Sequence, residues 1–381
     1  MDNVSSIFYA KYAEIMYIWE LPDWPEFTWT HAASDGLLRR VYHEQGRLAG
    51  RMEGLGFAPG DQARLRIFGL DVVKTSEIEG ESLNPDVVRS SIARRMGIDI
   101  GGLKPADRDV EGIVEVIVDA TIRYDEPLTI GRILRWHAAL FASGRSGLSR
   151  INSGKWRTDE KGPMQVVSGS IGHEVAHFEA PPAKLIDLEM SNFLAWFEGK
   201  DEVDPVIKAG LAHLWFVTIH PFEDGNGRIG RAILDMGLAR SESSAKRFYS
   251  VSRQIGLERR NYYRILEQTQ RGTMDVSDYV KWYLELLLRA LESASDLLGN
   301  IIDKARFWER FRAESLNGRQ IKILNKMLDD FEGNLTSSKW AKMTKTSQDT
   351  ASRDIRDLIK RGILKQNEKG GRSTSYSLVD G

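Results

Sequence analysis

The chain has no cysteine among its 381 residues, which excludes disulfide bonds and thiolate metal sites and is typical of a reducing compartment. No apolar run is long enough to span a bilayer. Acidic and basic residues nearly balance, 54 against 53, so net charge gives no overall attraction to nucleic acid or membrane. The first residues lack a basic segment followed by an apolar core, so we expect no signal peptide. We therefore expect a cytoplasmic protein without a membrane partner.

One stretch, residues 220–231, concentrates groups that suit phosphate. The apolar segment 206–219 before it predicts a buried helix that ends near His220, and Pro221 closes that helix. A second helix is expected over 228–239. The stretch therefore forms the turn between two helices.

Small residues mark the start of this second helix. Gly225, Asn226 and Gly227 offer backbone amides without bulky side chains, and unpaired amides and the helix dipole both favour an anion there. Arg228 and Arg231 lie three residues apart, so both guanidinium groups can face the same anion. The pattern predicts a phosphate site.

Two further groups add chemistry to this site. Asp224 beside a phosphate calls for a hard cation, most simply Mg²⁺ shared with the phosphates. His220 has an ordinary pKa close to neutrality and is the group in the stretch suited to accept a proton. Alone, each residue has an ordinary structural explanation, but the combination within twelve residues favours a nucleotide site.

The stretch resembles the signature of the Fic family, His-x-Phe-x-Asp/Glu-Gly-Asn-Gly-Arg-x-x-Arg. The matching positions are His220, Phe222, Asp224, Gly225, Asn226, Gly227, Arg228 and Arg231. The resemblance implies transfer of AMP from ATP to a Ser, Thr or Tyr hydroxyl of a target protein, or of the chain itself. It implies that His220 is the general base, Asp224 the Mg²⁺ ligand and Phe222 an apolar anchor. The residues assigned to the ATP phosphates are then Gly225, Asn226, Gly227, Arg228, Ile229, Gly230 and Arg231.

An upstream acid has a conspicuous position. A helix predicted over 65–78 stops near Gly80, which places Glu79 at the helix C-terminus, where the dipole disfavours a carboxylate. An arginine is the natural partner for such an acid. The segment also resembles the Fic inhibitory motif Ser/Thr-x-x-x-Glu-Gly/Asn through Thr75, Glu79 and Gly80. The resemblance implies that Glu79 pairs with Arg231 and occupies the space of the γ-phosphate.

A short β-hairpin is expected between the helices. Residues 155–157, 165–167 and 175–178 read as short strands separated by Gly and Ser. The Fic resemblance assigns residues 163–178 to a flap that aligns the target segment by strand addition. Residues 173–177 also match the zinc-protease pattern His-Glu-x-x-His, but that chemistry requires a helix, and the flanking Gly and Pro residues disfavour one.

Two tyrosines are candidates for the adenine pocket. Tyr262 and Tyr263 lie on a helix predicted over 257–270, where an aromatic ring could line a flat apolar slot; packing of the helix against the core is the alternative. Fic proteins often carry an Asn or another polar residue a few positions earlier, and Glu258 takes that place here.

The expected fold class is mainly α: a Fic-type helical core with a β-hairpin flap and a C-terminal winged helix-turn-helix domain. Residues 1–60 form an aromatic and helical N-terminal region, in which prolines prevent a helix and aromatic burial on the next helices holds the chain. Residues 61–295 form the Fic core, with the inhibitory helix at about 65–80 and the flap at 163–178. Residues 300–381 form the winged-helix domain.

The C-terminal region carries 17 basic and 11 acidic residues over 301–381. Three helices and two strands are expected over 320–378, a pattern that resembles a winged helix. If it binds DNA, its third helix and its wing make the contacts; a protein-contact or homodimer module is the alternative. The residues assigned to DNA are Ser347, Gln348, Thr350, Arg353 and Arg356 on the helix, with Lys369 and Arg372 on the wing.

Three functions compete at this point. The first is an ATP- and Mg²⁺-dependent protein AMP transferase inhibited by Glu79. The second is a hydrolase that removes AMP from a modified protein, with Glu79 positioning water. The third is a transcriptional regulator for which the nucleotide is only a signal.

Overall fold

The structure, a computed structural model, describes residues 16–53, 57–98, 105–106, 108–147, 149–168, 175–200, 202–328, 331, 333–367 and 374–379. It is mostly helical, with 64% of residues in helices, as the expected fold class requires. The α-helices within these ranges are α1 (His31–Glu53), α2 (Phe57–Ile78), α3 (Pro85–Met96), α4 (Arg108–Ile122), α5 (Ile130–Leu140), α6 (Ile186–Glu198), α7 (Pro205–Ile219), α8 (Asn226–Ser241), α9 (Val251–Leu257), α10 (Arg259–Gln270), α11 (Ser277–Arg310), α12 (Gly318–Leu328), α13 (Ser337–Thr344) and α14 (Gln348–Lys360).

Three small antiparallel sheets complete the described secondary structure. They pair β1 (Arg145–Ser146) with β2 (Ser149–Arg150), β3 (Gln165–Ser168) with β4 (Val175–Glu179), and β5 (Leu364–Gln366) with β6 (Tyr376–Leu378). In the β3–β4 hairpin the register shifts between Val166 and Val167. Single-turn 3₁₀ helices occur at Ile18–Glu20 and Ala183–Leu185.

The chain forms two compact units. The first contains residues 1–50 and 63–294, and the second contains residues 51–62 and 295–381. All the residues of the 220–231 stretch fall in the first unit.

Helices α7 and α8 form the centre of the first unit. α7 is mainly apolar and is buried from Val206 to Ile219 except at Lys208, as a helix with almost no polar face must be. The two helices approach closely because Gly237 has no side chain: a Cβ there would lie 2.7 Å from the Cβ of Ala209. This tight packing fixes the position of the turn that joins them.

Several N-terminal aromatic residues pack on elements that are distant in sequence. The rings of Trp24 and Phe27 each lie 6.0 Å from Trp215 in edge-on contacts. Tyr17 meets Phe178 of β4 at 5.2 Å. The side chains of Tyr17, Trp24 and Phe27 are half-buried rather than buried, and their partners are distant in sequence, which a local pattern cannot show.

Several element boundaries differ from those expected. Gly60 lies inside α2, so the helix begins eight residues before the predicted start at Leu65. Residues 155–157 are not a strand, because the backbone amide of Arg157 donates to the carbonyl of Pro221 instead of to a ladder. α11 continues to Arg310, beyond the expected end of the Fic core at residue 295.

The second unit contains three helices and a hairpin in chain order: α12, α13, α14, β5 and β6. Its core includes the fully buried Trp340 and Ile323. Of the residues assigned to DNA, Arg353 and Arg356 are exposed on α14, while Lys369 and Arg372 lie outside the described residues. DNA binding stays a prediction.

No helix within the described part of the chain is long and apolar enough to cross a membrane.

Candidate active site

A cleft of about 910 Å³ opens beside the turn between α7 and α8. Its walls come from that turn, from the end of α2, from α10 and from the β3–β4 hairpin. The residues that line it include Glu79, Ser168, His177, His220, Glu223, Asp224, Gly225, Asn226, Gly227, Arg259, Arg260, Tyr262, Tyr263, Arg264 and Glu267. The structure thus brings together most of the residues predicted from the sequence.

His220 ends α7 in the left-handed conformation, with φ of 50°. Its Nδ1 lies 3.2 Å from the carbonyl oxygen of Val217. A carbonyl can only accept, so Nδ1 carries the proton and Nε2 is left as the acceptor. Burial lowers the pKa of His220 from 6.5 to about 4. The imidazole is therefore neutral near pH 7 and can take a proton.

Arg157 holds the backbone of this histidine, a role that no sequence pattern predicted. Its Nε donates to the carbonyl oxygen of His220 at 2.8 Å, and its backbone amide donates to the carbonyl of Pro221 at 3.0 Å. The guanidinium is buried. Arg157 therefore fixes the strained turn at its first two residues.

Asn226 and Phe222 fix the rest of the turn. The Asn226 side chain accepts from the amide of Phe222 at 2.9 Å and donates to its carbonyl at 2.8 Å. The Phe222 ring is fully buried and stacks on His137 at 4.0 Å. Asn226 was assigned to the nucleotide, but its side chain is used within the loop, which leaves its backbone amide for a ligand.

Gly225 and Gly227 lie at close approaches. Gly225 has φ of 84°, and a Cβ there would lie 2.8 Å from the Phe141 ring. A Cβ on Gly227 would lie 2.2 Å from Glu79 Oε1. The first amides of a helix have no partner within it, so the N-terminus of α8 can bind an anion at the bare surface of these glycines.

Asp224 lies at the cleft wall with its side chain 38% exposed. Its carboxylate accepts from the Gly225 amide and from the hydroxyl of Ser146, a contact that the sequence did not predict. No cluster of three His, Cys, Asp or Glu side chains that could hold a metal occurs among the described residues. A single carboxylate fits Mg²⁺, which usually takes one or two protein carboxylates together with phosphates and water.

The two arginines of the turn are both engaged by acids from the end of α2. Arg231 is 1% exposed, and its NH2 group lies 2.7 Å from Glu79 Oε1. Its Nε donates to the hydroxyl of Thr75 at 2.7 Å. Arg228 NH1 donates to both carboxylate oxygens of Glu81, at 2.8 and 2.9 Å.

The residues predicted for the inhibitory motif are thus assembled around Arg231. Gly80 adopts φ of 88°, which lets the chain turn so that Glu79 and Glu81 reach different arginines. Glu81 was missed, since the motif gives no role to this position. Arg231 NH1 is buried without a hydrogen-bond partner in the described structure, which is typical of a donor reserved for a ligand.

The remaining predicted residues divide into two groups. Tyr262 and Tyr263 line the cleft, with Tyr263 39% exposed and Tyr262 buried. Ile229 and Gly230 instead face the core: Ile229 is fully buried, and a Cβ on Gly230 would lie 2.8 Å from Val217. Neither residue therefore presents a side chain to a nucleotide in the cleft.

Glu258 also has another partner. Its carboxylate forms two hydrogen bonds of 2.7 Å with Arg289 of α11. It lies between α9 and α10, so the helix predicted over 257–270 begins at Arg259. The cleft instead gains the exposed arginines of the first turns of α10, which are Arg259, Arg260 and Arg264.

Comparison with known proteins supports the site. Residues 127–238, which contain the whole turn, match the Fic/DOC family. The chain carries a Fic domain. Residues 17–98, upstream of this Fic domain, match a domain of unknown function (DUF4172).

Curated relatives of this Fic-domain chain are named as adenylyltransferases. "Protein adenylyltransferase Fic" from Nematostella vectensis is 24% identical over 243 residues, covering 62% of the chain and 51% of the relative. "Probable protein adenylyltransferase aq_aa38" from Aquifex aeolicus is 25% identical over 197 residues, covering 52% and 56% respectively. The chain thus spans about half the length of the curated relatives it matches.

A solved structure supports the fold. The crystal structure of a Fic family protein from Desulfovibrio desulfuricans G20 aligns with a TM-score of 0.57 and 21% identity, covering 93% of this chain and 98% of that one.

Proposed function

We propose that the chain transfers AMP from ATP to a protein hydroxyl, and that Glu79 inhibits this transfer. The observation that supports the proposal is the convergence of a neutral His220, the Asp224 carboxylate and the α8 N-terminus on one cleft. Adenylyltransferase names among the relatives agree with it. ATP is then the substrate and a target protein the acceptor.

The chemistry follows from the positions of these groups. Nε2 of His220 accepts the proton of the attacking hydroxyl, while the α8 amides bind the phosphates. Asp224 would hold Mg²⁺, which when bound offsets the charge that develops on the departing pyrophosphate. Arg231, buried and rigidly held by Thr75, orients the terminal phosphate.

The proposed inhibition follows from the same geometry. Glu79 and a phosphate would compete for Arg231, because the carboxylate already lies 2.7 Å from its NH2 group. Glu81 adds a second acid on Arg228. An anion placed beside either carboxylate would be repelled, so we infer that ATP binds in a productive position only when Glu79 leaves.

The test is to incubate the wild-type chain, Glu79→Gly and Glu79→Gly/His220→Ala with α-labelled ATP and Mg²⁺, together with a cell lysate as the source of targets. We expect label on protein to rise at least tenfold in Glu79→Gly and to disappear in Glu79→Gly/His220→Ala. Equal label in all variants would contradict the proposal.

Hydrolytic removal of AMP from a modified protein is a second candidate, favoured by the place of the Glu79 carboxylate in the cleft wall. There it could orient a water molecule. The two candidates predict opposite effects of Glu79→Gly. The substitution would abolish release of AMP from a pre-modified protein if the chain is a hydrolase, whereas it would increase transfer of AMP if the chain is a transferase.

A further inference from the structure

Three side chains outside the phosphate turn form a chain of hydrogen bonds at the cleft wall. Ser168 Oγ lies 2.6 Å from His177 Nε2, and His177 Nδ1 lies 3.0 Å from Glu267 Oε2. All three residues line the same cleft as His220 and Asp224. They come from β3, β4 and α10, so no local sequence pattern reveals them.

The order of the hydrogen bonds defines the direction of proton transfer. A carboxylate accepts hydrogen bonds, so Nδ1–H of His177 donates to Glu267. Nε2 is then an acceptor, and the hydroxyl of Ser168 donates to it. A hydroxyl bonded to an imidazole that is oriented by a carboxylate is the arrangement of an activated serine nucleophile.

Arg271 holds this arrangement in place. Its Nε donates to the carbonyl oxygen of His177 at 2.8 Å, and its NH2 group donates to that of Ala176 at 2.8 Å. Its NH1 group lies 3.5 Å from Glu267 Oε1. The backbone of the histidine and the carboxylate that orients its ring are therefore fixed by the same guanidinium.

We propose that Ser168 is itself an acceptor of AMP, with His177 as its general base and Glu267 as the residue that orients that base. The proposal rests on the proposed transfer of AMP from ATP. Oγ of Ser168 forms a bond to the α-phosphorus, the bond from that phosphorus to the oxygen bridging to the β-phosphorus breaks, and pyrophosphate leaves with that oxygen. The hydroxyl proton passes to Nε2 of His177 and then to solvent.

Ser168 suits the role of AMP acceptor better than the hydroxyls of Tyr262 and Tyr263, which line the same cleft. The Tyr262 hydroxyl is buried against His213 at 3.1 Å, and burial raises the pKa of Tyr262 above its usual value. The Tyr263 hydroxyl points to the carbonyl of Ile78. Ser168 is exposed and already bonded to an imidazole.

A modified Ser168 would place a nucleotide on the flap itself. The exposed Val167 and Val175 flank it on the two strands, so the adduct would cover the edge that the flap offers to a target segment. Self-modification would therefore compete with modification of other proteins at the same cleft.

The experiment uses the full chain carrying Glu79→Gly, alone and with Ser168→Ala, His177→Gln or Glu267→Gln. Each protein is incubated with Mg²⁺ and ATP, and the adducts are located by peptide mass spectrometry at several times. Ser191→Ala is the matched control, because Ser191 is an exposed serine on α6 whose hydroxyl bonds only to the carbonyl of Asp187 among the contacts described.

We expect AMP on the peptide that contains Ser168, unchanged in Ser191→Ala and absent in Ser168→Ala. His177→Gln keeps a hydrogen-bond acceptor but removes the base, and should slow modification of Ser168 by about 100-fold or more. Glu267→Gln should slow it as well, since the ring loses the carboxylate that selects its tautomer. Melting curves of the variants check that the fold is kept.

AMP on other residues or on added protein, with Ser168 unmodified, would overturn this inference and leave the proposed function standing. Modification of Ser168 at the same rate in His177→Gln would overturn the assigned base. Absence of AMP from every residue and every added protein would overturn both proposals together.

Discussion

The protonation of single side chains determines what the cleft can do. His220 donates Nδ1–H to the Val217 carbonyl, and burial holds its pKa at about 4. His137, beneath the same turn, also has its pKa lowered to about 4 by burial. Its Nδ1 accepts from the Gly154 amide at 2.9 Å, so its Nε2 donates to the carbonyl of Asp224. Both rings are neutral at physiological pH, one as a base and one as a support.

This protonation state predicts the pH dependence of transfer. The base form of His220 persists until the pH falls to about 4, so kcat/KM for AMP transfer in Glu79→Gly should lose half its value near pH 4 rather than near 6.5. The pH profile of initial rates measures it. If kcat/KM instead fell to half near pH 6.5, burial would not be lowering the pKa of the catalytic base.

The lowered pKa of His220 also makes the free energy of unfolding depend on pH. Between pH 6.5 and 4 the unfolded chain binds a proton at residue 220 that the folded chain does not. Stability contributed by this residue therefore falls as the pH drops through that window.

Some contacts of single residues can be predicted from the sequence and others cannot. The unfavourable dipole at Glu79 predicts an arginine partner, and Arg231 is found there. Nothing in the sequence marks Arg157 or Ser146, because their contacts join segments more than 60 residues apart. Contacts between segments that are far apart in sequence leave no regular residue spacing by which a pattern could reveal them.

At the scale of elements, a buried ionic cluster joins α2 and α8. Arg247 lies 3.1 Å from Asp71 of α2 and 2.7 Å from Asp235 of α8. Ser250 donates to Asp71 at 2.5 Å. Burial raises the pKa of both acids, and Arg247 counteracts this. The cluster sets the distance between the helix that ends at Glu79 and the helix that carries Arg231.

Removal of the shared cation should therefore be costly. Arg247→Met would leave two buried carboxylates without compensation, and we expect a loss of about 3–5 kcal/mol in the free energy of unfolding. Urea denaturation measures it. Arg40→Met removes an arginine that is 62% exposed and paired with Glu292, and should change stability by less than about 0.5 kcal/mol. Similar effects of the two substitutions would contradict this account of the cluster.

Elements differ in how well a sequence predicts them. The long apolar run of α7 and its closing Pro221 predict that helix to within one residue at its start. The two-residue strands β1 and β2 are too short for any alternation of side chains, and Glu258 at the break between α9 and α10 contacts Arg289 on a helix further along the chain. Strong periodicity is local, whereas short strands and helix breaks depend on partners elsewhere.

For the molecule as a whole, the proposed inhibition links stability to ligand binding. Arg231 is buried and its main acidic partner is Glu79. A buried cation that loses its partner destabilises the fold. ATP would supply the missing negative charge.

Melting curves should show this exchange of partners. We expect Glu79→Gly to melt at a lower temperature than wild type without nucleotide, because Arg231 loses its ion pair. Mg²⁺ and ATP at about 100 times the dissociation constant should then stabilise the variant by about 2.7 kcal/mol, and wild type by much less. Glu79→Gly/Arg231→Ala is the control and should show little response. Equal responses of wild type and Glu79→Gly would contradict competition at Arg231.

The absence of a side chain at Gly227 limits which substitutions the chain can accept during evolution. A methyl group there would collide with Glu79 Oε1, and it would also cover the amides at the start of α8. The proposed inhibition and the proposed catalysis thus both depend on the absence of a side chain at this position. Replacement of Glu79 in the course of evolution would remove the proposed inhibition alone, whereas substitution of Gly227 would disturb the Glu79 contact and the proposed phosphate site together.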